Sequence, residues 1–218
     1  MISPQLATLL RHSWRQNLLA IVLAAGRGRR VGGPKALLDL GGITALQRVL
    51  NALRAGGLEH IRVVLGAEAA RVEASVKLEG VELAYTEDID WGQSASLKAG
   101  LALAPVMGPG FAVHPVDVAL VDGESVAQLH SAFAARAPGI DIVVPSVDGR
   151  RGHPAFFAAP LAAEFAALGL DEPAHRIVRK TAARVHHVVL QRPWLIRDLD
   201  LPEDVEAARI ALDPSSTR

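Results

Sequence analysis

"VLAAGRGRRVGGPKALL", residues 22–38, carries an apolar run into a loop crowded with glycine and cations. The stretch it leaves, "LLAIVLA" (18–24), is continuously apolar over the length of a strand, as in a sheet covered on both faces. The stretch it enters, "TALQRVLNALRAG", sets Leu46, Val49, Leu50 and Leu53 on one helical face. Strand, loop and helix in that order form the opening unit of a parallel α/β sheet. Arg27, Arg29, Arg30 and Lys35 repel one another, and glycine loses the most backbone freedom on folding. A loop built this way points to an anionic guest.

The alternation continues downstream. "IRVVLG" (61–66) reads as a strand and "AEAARVEASVK" as a helix; "VELAYT" (81–86) and "SASLKAGLALA" repeat the pair. "GFAVHPVDVALV" holds a strand ending near Pro115, "GESVAQLHSAFAAR" a helix, and "DIVVPSV" a further buried strand. Beyond residue 148 come a turn with an extended segment, short helices, the strand "VHHVVL", and Pro202 placed to open a last helix. The expected fold is a Rossmann-like, doubly wound, mostly parallel sheet with helices on both faces. It occupies 18–212 as one domain, with an amphipathic N-terminal helical extension over 1–17 (Leu6, Leu9, Leu10, Trp14) and a tail over 213–218.

Composition narrows the function. The chain's 218 residues carry 23 Lys and Arg against 23 Asp and Glu, which argues against general electrostatic binding of nucleic acid. Cysteine is absent, so disulfides, thiolate metal sites and cysteine nucleophiles are excluded. No apolar run reaches the ~20 residues of a membrane span, and the N-terminus lacks a signal-peptide pattern. A cytoplasmic location is expected.

Two phosphate-loop readings fail. Pro34 precedes Lys35 and Ala36 stands where the Walker hydroxyl belongs; Val31 occupies the third glycine of the dinucleotide fingerprint. "LAAGRGRRVGGPKALL" instead resembles the nucleotidyltransferase signature L-A-A-G-x-[G/S]-x-R-M-G-x-x-K-x-L, with Val31 for methionine. Within that superfamily it is most similar to the molybdenum cofactor cytidylyltransferases. "GQSASLKAGL" (92–101), "HPVDVALVDGESV", "DGRRGHPAFF" (148–157) and "DLDLPEDVEAAR" match further family segments in order.

The resemblance implies an enzyme that transfers CMP from CTP to molybdopterin, with release of pyrophosphate and with Mg²⁺ or Mn²⁺ as cofactor. Leu23, Ala24, Ala25, Gly26, Gly28, Arg30, Gly32 and Lys35 would hold the nucleotide, Arg30 and Lys35 also meeting transition-state charge. Asp117 and Asp200 would hold the metal, with Asp198 as alternative to Asp200. Arg150, Arg151, Gly152 and His153 would meet the acceptor, and a molybdenum hydroxylase would receive the product. Arg27 and Arg29 carry no assignment. Gln93, Ser94 and Ser96 either read the base or cap a helix, Ser94 being the better cap. His153 is otherwise a structural turn residue, and His114 a packed one.

Two departures bear on the acceptor. The family's D-x-P reads Asp117-Val118-Ala119 here, and Leu201 replaces the threonine of D-T-P-E-D, removing a capping hydroxyl. GTP in place of CTP, a sugar-phosphate acceptor, or a non-catalytic nucleotide- and cofactor-binding chaperone are the alternatives.

Overall fold

The computed structural model describes residues 18–87, 92–169, 172–180 and 182–213. The N-terminal helix expected over 1–17, and the tail beyond Asp213, lie outside them.

Strand β1 (Leu19–Leu23) is buried at every position and lies in the middle of an eight-stranded sheet. It pairs in parallel with β2 (His60–Leu65), which pairs in parallel with β3 (Val81–Tyr85). On its other side β1 pairs in parallel with β4 (Gly110–Pro115). Beyond β4 the sheet becomes mixed. Strand β7 (Ala155–Ala158) runs antiparallel between β4 and β5 (Ile142–Val147). The two-residue β6 (Arg150–Arg151) folds back on β5, and β8 (Val185–Val189) pairs with β5 in parallel. The expected mostly parallel sheet is found, with the "AFFA" strand reversed. The hairpin turn at Asp148 and Gly149, both at positive φ, turns the chain back on itself and sets that direction.

Alternation along β1 divides its side chains between two cores. Ala20 and Val22 face helices α1 (Ala45–Ala55), α2 (Ala69–Ser75) and α4 (Gly123–Ala134). Leu19, Ile21 and Leu23 face α3 (Gly92–Ala102), α5 (Leu161–Ala166) and α6 (His175–Lys180). This double burial is why the first run contains no polar residue. Thr44 caps α1 by accepting the Gln47 amide, and Asp122 caps α4 by accepting the Ser125 amide. A third cluster, Leu40, Ala45, Ala119, Leu199, Val205 and Ala208, seats the last helix, α7 (Pro202–Leu212), against the loops at the strand ends.

The chain winds from β1 toward β3 on one side and resumes at β4 on the other. Ligands in open α/β sheets bind beyond the strands' carboxyl ends at such a switch point. The glycine loop and the segment after Pro115 both emerge there, on adjacent strands in register (Leu23 beside Pro115). None of the described helices is long and apolar enough to cross a membrane.

Candidate active site

The loop after β1 is shaped by its own backbone. Gly28 takes φ 57°, and a Cβ there would overlap the carbonyl oxygen of Gly33. The Gly28 carbonyl accepts the amides of Val31 and Gly33 at 3.0 and 3.2 Å, closing a turn that carries Arg29–Val31. Gly26 is different: a Cβ would meet nothing within 4 Å, so bare backbone faces open space. Leu23, Ala24 and Ala25 are buried beneath it, while Arg27, Arg29, Arg30 and Gly32 are exposed. The chain then descends through Pro34 into the short turn Lys35–Leu37, whose buried Ala36 anchors Lys35 at the sheet.

Asp117 follows β4, where the Val116 amide donates to Leu23 O at 3.0 Å. The turn that lacks the family's proline is held otherwise. His114 Nε2 lies 3.0 Å from the carbonyl of Val118, which can only accept, so that nitrogen carries the proton. Asp200 arrives from far off in sequence. The Leu199 amide donates to Asp117 O at 3.0 Å, and Leu199 is buried, which leaves Asp198 and Asp200 exposed on either side of it.

These segments converge on one ammonium. Lys35 Nζ donates to Asp117 Oδ2 at 2.8 Å and also to Asp200 Oδ1. Burial alone would lower the lysine's pKa, but Asp117 and then Asp200 outweigh it and hold it above 10.5. Asp198 stands near enough to be affected: burial first, then Asp117 and Asp200, raise its pKa, opposed by Lys35 and Arg150.

A divalent cation fits this donor set. Two carboxylates meet at a position already taken by a positive group, and Asp117 Oδ1 is buried without a hydrogen-bond partner. Among the described residues no three His, Cys, Asp or Glu side chains form a metal cage. Mg²⁺ needs none, since one or two carboxylates serve when phosphate oxygens and water complete its shell.

Two adjoining cavities open beside the glycine loop, and Asp117 lines the smaller of them. The smaller, about 150 Å³, is lined by Leu23, Ala25, Gly26, Lys35, Gln93, Ser96 and Asp117. The larger, about 560 Å³, adjoins it at Leu23, Gly92 and Gln93. Its walls are Leu97, Val113, Val144, Ala155, Phe157, Phe165 and Val178, with Arg151, His175 and Arg179 also lining it. Arg151, Gly152 and His153 line this cavity, whereas Arg150 does not and instead acts on Asp198. Gly152 lets the chain pass close to the carbonyl of Leu195, which a Cβ would overlap. The His153 amide donates to that carbonyl at 2.9 Å. Burial lowers the pKa of the His153 ring, its hydrogen bond to the Val113 backbone and nearby Asp117 opposing; its Nδ1 is buried without a partner.

Ser94 lies inside α3 rather than at its cap, and its hydroxyl accepts the Ala174 amide at 2.9 Å, tying α3 to the segment before α6. Gln93 is exposed and lines both cavities. Phe157, Phe165 and Val178 escape a sequence reading as cavity walls, because their apolarity reads equally well as core.

A family model described as "MobA-like NTP transferase domain" matches residues 20–187. The nicotine blue oxidoreductase of Paenarthrobacter nicotinovorans is 31% identical over 84% of this chain and 87% of its own length. A probable molybdenum cofactor guanylyltransferase of Opitutus terrae is 28% identical over 88% and 95%. The crystal structure of Rv0371c from Mycobacterium tuberculosis superposes with a TM-score of 0.78 at 26% identity, covering 88% of this chain and 97% of that one. Rv0371c has also been solved in complex with manganese, superposing at a TM-score of 0.75.

Proposed function

The chain belongs to the family of MobA-like NTP transferase domains and is a nucleotidyltransferase; from that membership we propose that it transfers CMP from CTP to the phosphate of a molybdopterin-type acceptor. The observation that carries this reading is the Lys35 ammonium held between Asp117 and Asp200 under an open glycine loop.

In the reaction, an oxygen of the acceptor phosphate attacks the α-phosphorus. A new P–O–P anhydride forms, the α–β bridging bond breaks, and pyrophosphate departs with the electron pair. An acceptor that is already ionised needs no general base. The chain's work is to position two anions and offset their charge. Backbone at Gly26 offers close approach to phosphate oxygens, Arg30 a planar fork, and Lys35 a compact charge. Asp117 and Asp200 would hold magnesium or manganese, which when bound supplies positive charge against the triphosphate. Gln93 and Ser96, which line the smaller cavity, would meet the nucleoside.

The larger cavity is the acceptor's place in this reading. Its predominantly apolar walls suit the face of a flat ring better than a sugar's ring of hydroxyls. Arg151 and Arg179 offer charge to the acceptor's phosphate. A molybdenum hydroxylase would take up the product. The guanylyltransferase relative supports GTP as the second reading for the nucleotide. The oxidoreductase relative invites a redox reading, against which the missing third glycine weighs.

Pyrophosphate release is to be compared among CTP, GTP, ATP and UTP with molybdopterin and with a hexose 1-phosphate. CTP with molybdopterin should dominate, and Asp117→Ala should cut kcat by ~100-fold or more. Faster turnover of the sugar phosphate would overturn the acceptor. An undiminished Asp117→Ala enzyme would overturn the site.

A further inference from the structure

Asp204, the third residue of α7, does more than finish a helix. Its Oδ2 accepts the amide of Leu201, the residue preceding the helix, at 2.9 Å. A carboxylate at this position reaching back to that amide is ordinary helix capping. The same oxygen also accepts the amide of Asp200 at 3.2 Å, one residue further from the helix. Capping does not require this second bond. It falls on the residue whose carboxylate meets Lys35.

Asp200 has little else to hold it. Its side chain is 52% exposed, so packing does not fix its direction. Its backbone is tied on both sides instead. The Leu199 amide is bound to Asp117 O at 3.0 Å, and the Asp200 amide is bound to Asp204. One tie sets how far Asp200 stands from Asp117, and the other sets the rotation of the peptide from which its carboxylate projects. The cap residue Leu201 has no side-chain hydrogen bond of its own, so the Asp204 carboxylate is the side chain that caps this junction.

We propose that Asp204 is a positioning residue: by binding the Asp200 amide it aims the Asp200 carboxylate at Asp117 and Lys35, and so sets the site's affinity for a divalent cation. The inference rests on the reading of Asp117 and Asp200 as the metal pair.

The test separates aim from helix stability. Leu201→Thr restores a hydroxyl that caps first-turn amides but offers nothing to the Asp200 amide. Free Mn²⁺ is followed by electron paramagnetic resonance in the presence of CTP without acceptor, alongside Tm. Asp204→Ala should lose both Tm and Mn²⁺ affinity. The double variant Leu201→Thr/Asp204→Ala should recover Tm while its Mn²⁺ affinity stays about 10-fold or more weakened, as when a partner orienting a metal ligand is removed. Asp204→Asn, which keeps an acceptor oxygen, should recover most of the affinity. Should Mn²⁺ affinity return with Tm in the double variant, Asp204 is a cap only and the inference fails. Asp200→Ala is the separate control: affinity unchanged there would overturn the metal pair itself, and the inference with it.

Discussion

Lys35 Nζ lies 2.8 Å from Asp117 Oδ2, joining two residues 82 positions apart at the carboxyl ends of adjacent strands. The same nitrogen reaches Asp200, so one ammonium neutralises two carboxylates. Lys35→Met leaves those carboxylates facing each other. The metal-free variant should lose about 1 kcal/mol, screened because Asp200 is half exposed, or roughly 2–4 °C in Tm. Millimolar Mn²⁺ should then stabilise the variant more than the parent protein, since it replaces a missing charge. Thermal unfolding with and without Mn²⁺ measures this. Equal shifts in both proteins would mean that the ammonium does not stand where the cation binds.

Arg30 is exposed on its turn and forms no ion pair among the described residues. Removing it should cost the fold little. Arg30→Ala should lower kcat/KM by ~100-fold, and Arg30→Lys should restore only part, because a point charge cannot reproduce the guanidinium fork. Steady-state kinetics with varied nucleotide decides it. Full rescue by lysine would reduce Arg30 to a source of charge.

The two glycines of the loop should separate binding from folding. At Gly26 a methyl group has open space, so Gly26→Ala should keep its Tm yet weaken nucleotide binding about tenfold or more by blocking close approach of the backbone. At Gly28 the backbone is left-handed and a Cβ overlaps Gly33 O, so Gly28→Ala should lower Tm as well. Calorimetric titration with CTP and thermal unfolding of both variants provide the comparison. A Gly26→Ala protein that binds CTP normally would place the phosphates elsewhere.

Much of this arrangement was legible in the chain. The unbroken apolar run at 18–24 required burial on both faces, and the sheet provides it through two separate cores. The loop after it, with Lys35, and the carboxylates at Asp117 and Asp200 were singled out as motifs, and the structure brings them to one point. Less local features escaped. The reversal of β7 depends on how the turn at Asp148 and Gly149 leads "AFFA" in between β4 and β5, which its own composition does not encode. Arg150 and Arg151 read as a pair, but neighbours in a strand point oppositely, and only Arg151 lines the larger cavity. The missing proline after Asp117 suggested an altered loop. Its replacement by the His114–Val118 contact needed the fold to become visible.

That contact leads to a dependence on pH. His114 is wholly enclosed, and burial, reinforced by His153 and opposed by the Val118 hydrogen bond, lowers its pKa from 6.5 to about 3. His153 is shifted in the same direction, burial again being the largest cause. Below 6.5 the unfolded chain takes up protons that these buried rings refuse, so stability falls as the pH falls. Each such ring contributes a slope of up to ~1.4 kcal/mol per pH unit until its folded pKa is reached. The paired carboxylate Glu82, whose pKa lies below 4.5 despite the burial that opposes this, adds its loss only further into acid. Lys35 titrates above 10.5 and adds nothing in this window. Chemical denaturation between about pH 7 and about pH 5 should therefore show a steep loss of stability. His114→Gln, which can still donate to the Val118 carbonyl, should reduce that slope by close to one proton. An unchanged slope in the variant would show that His114 takes up its proton within the folded protein.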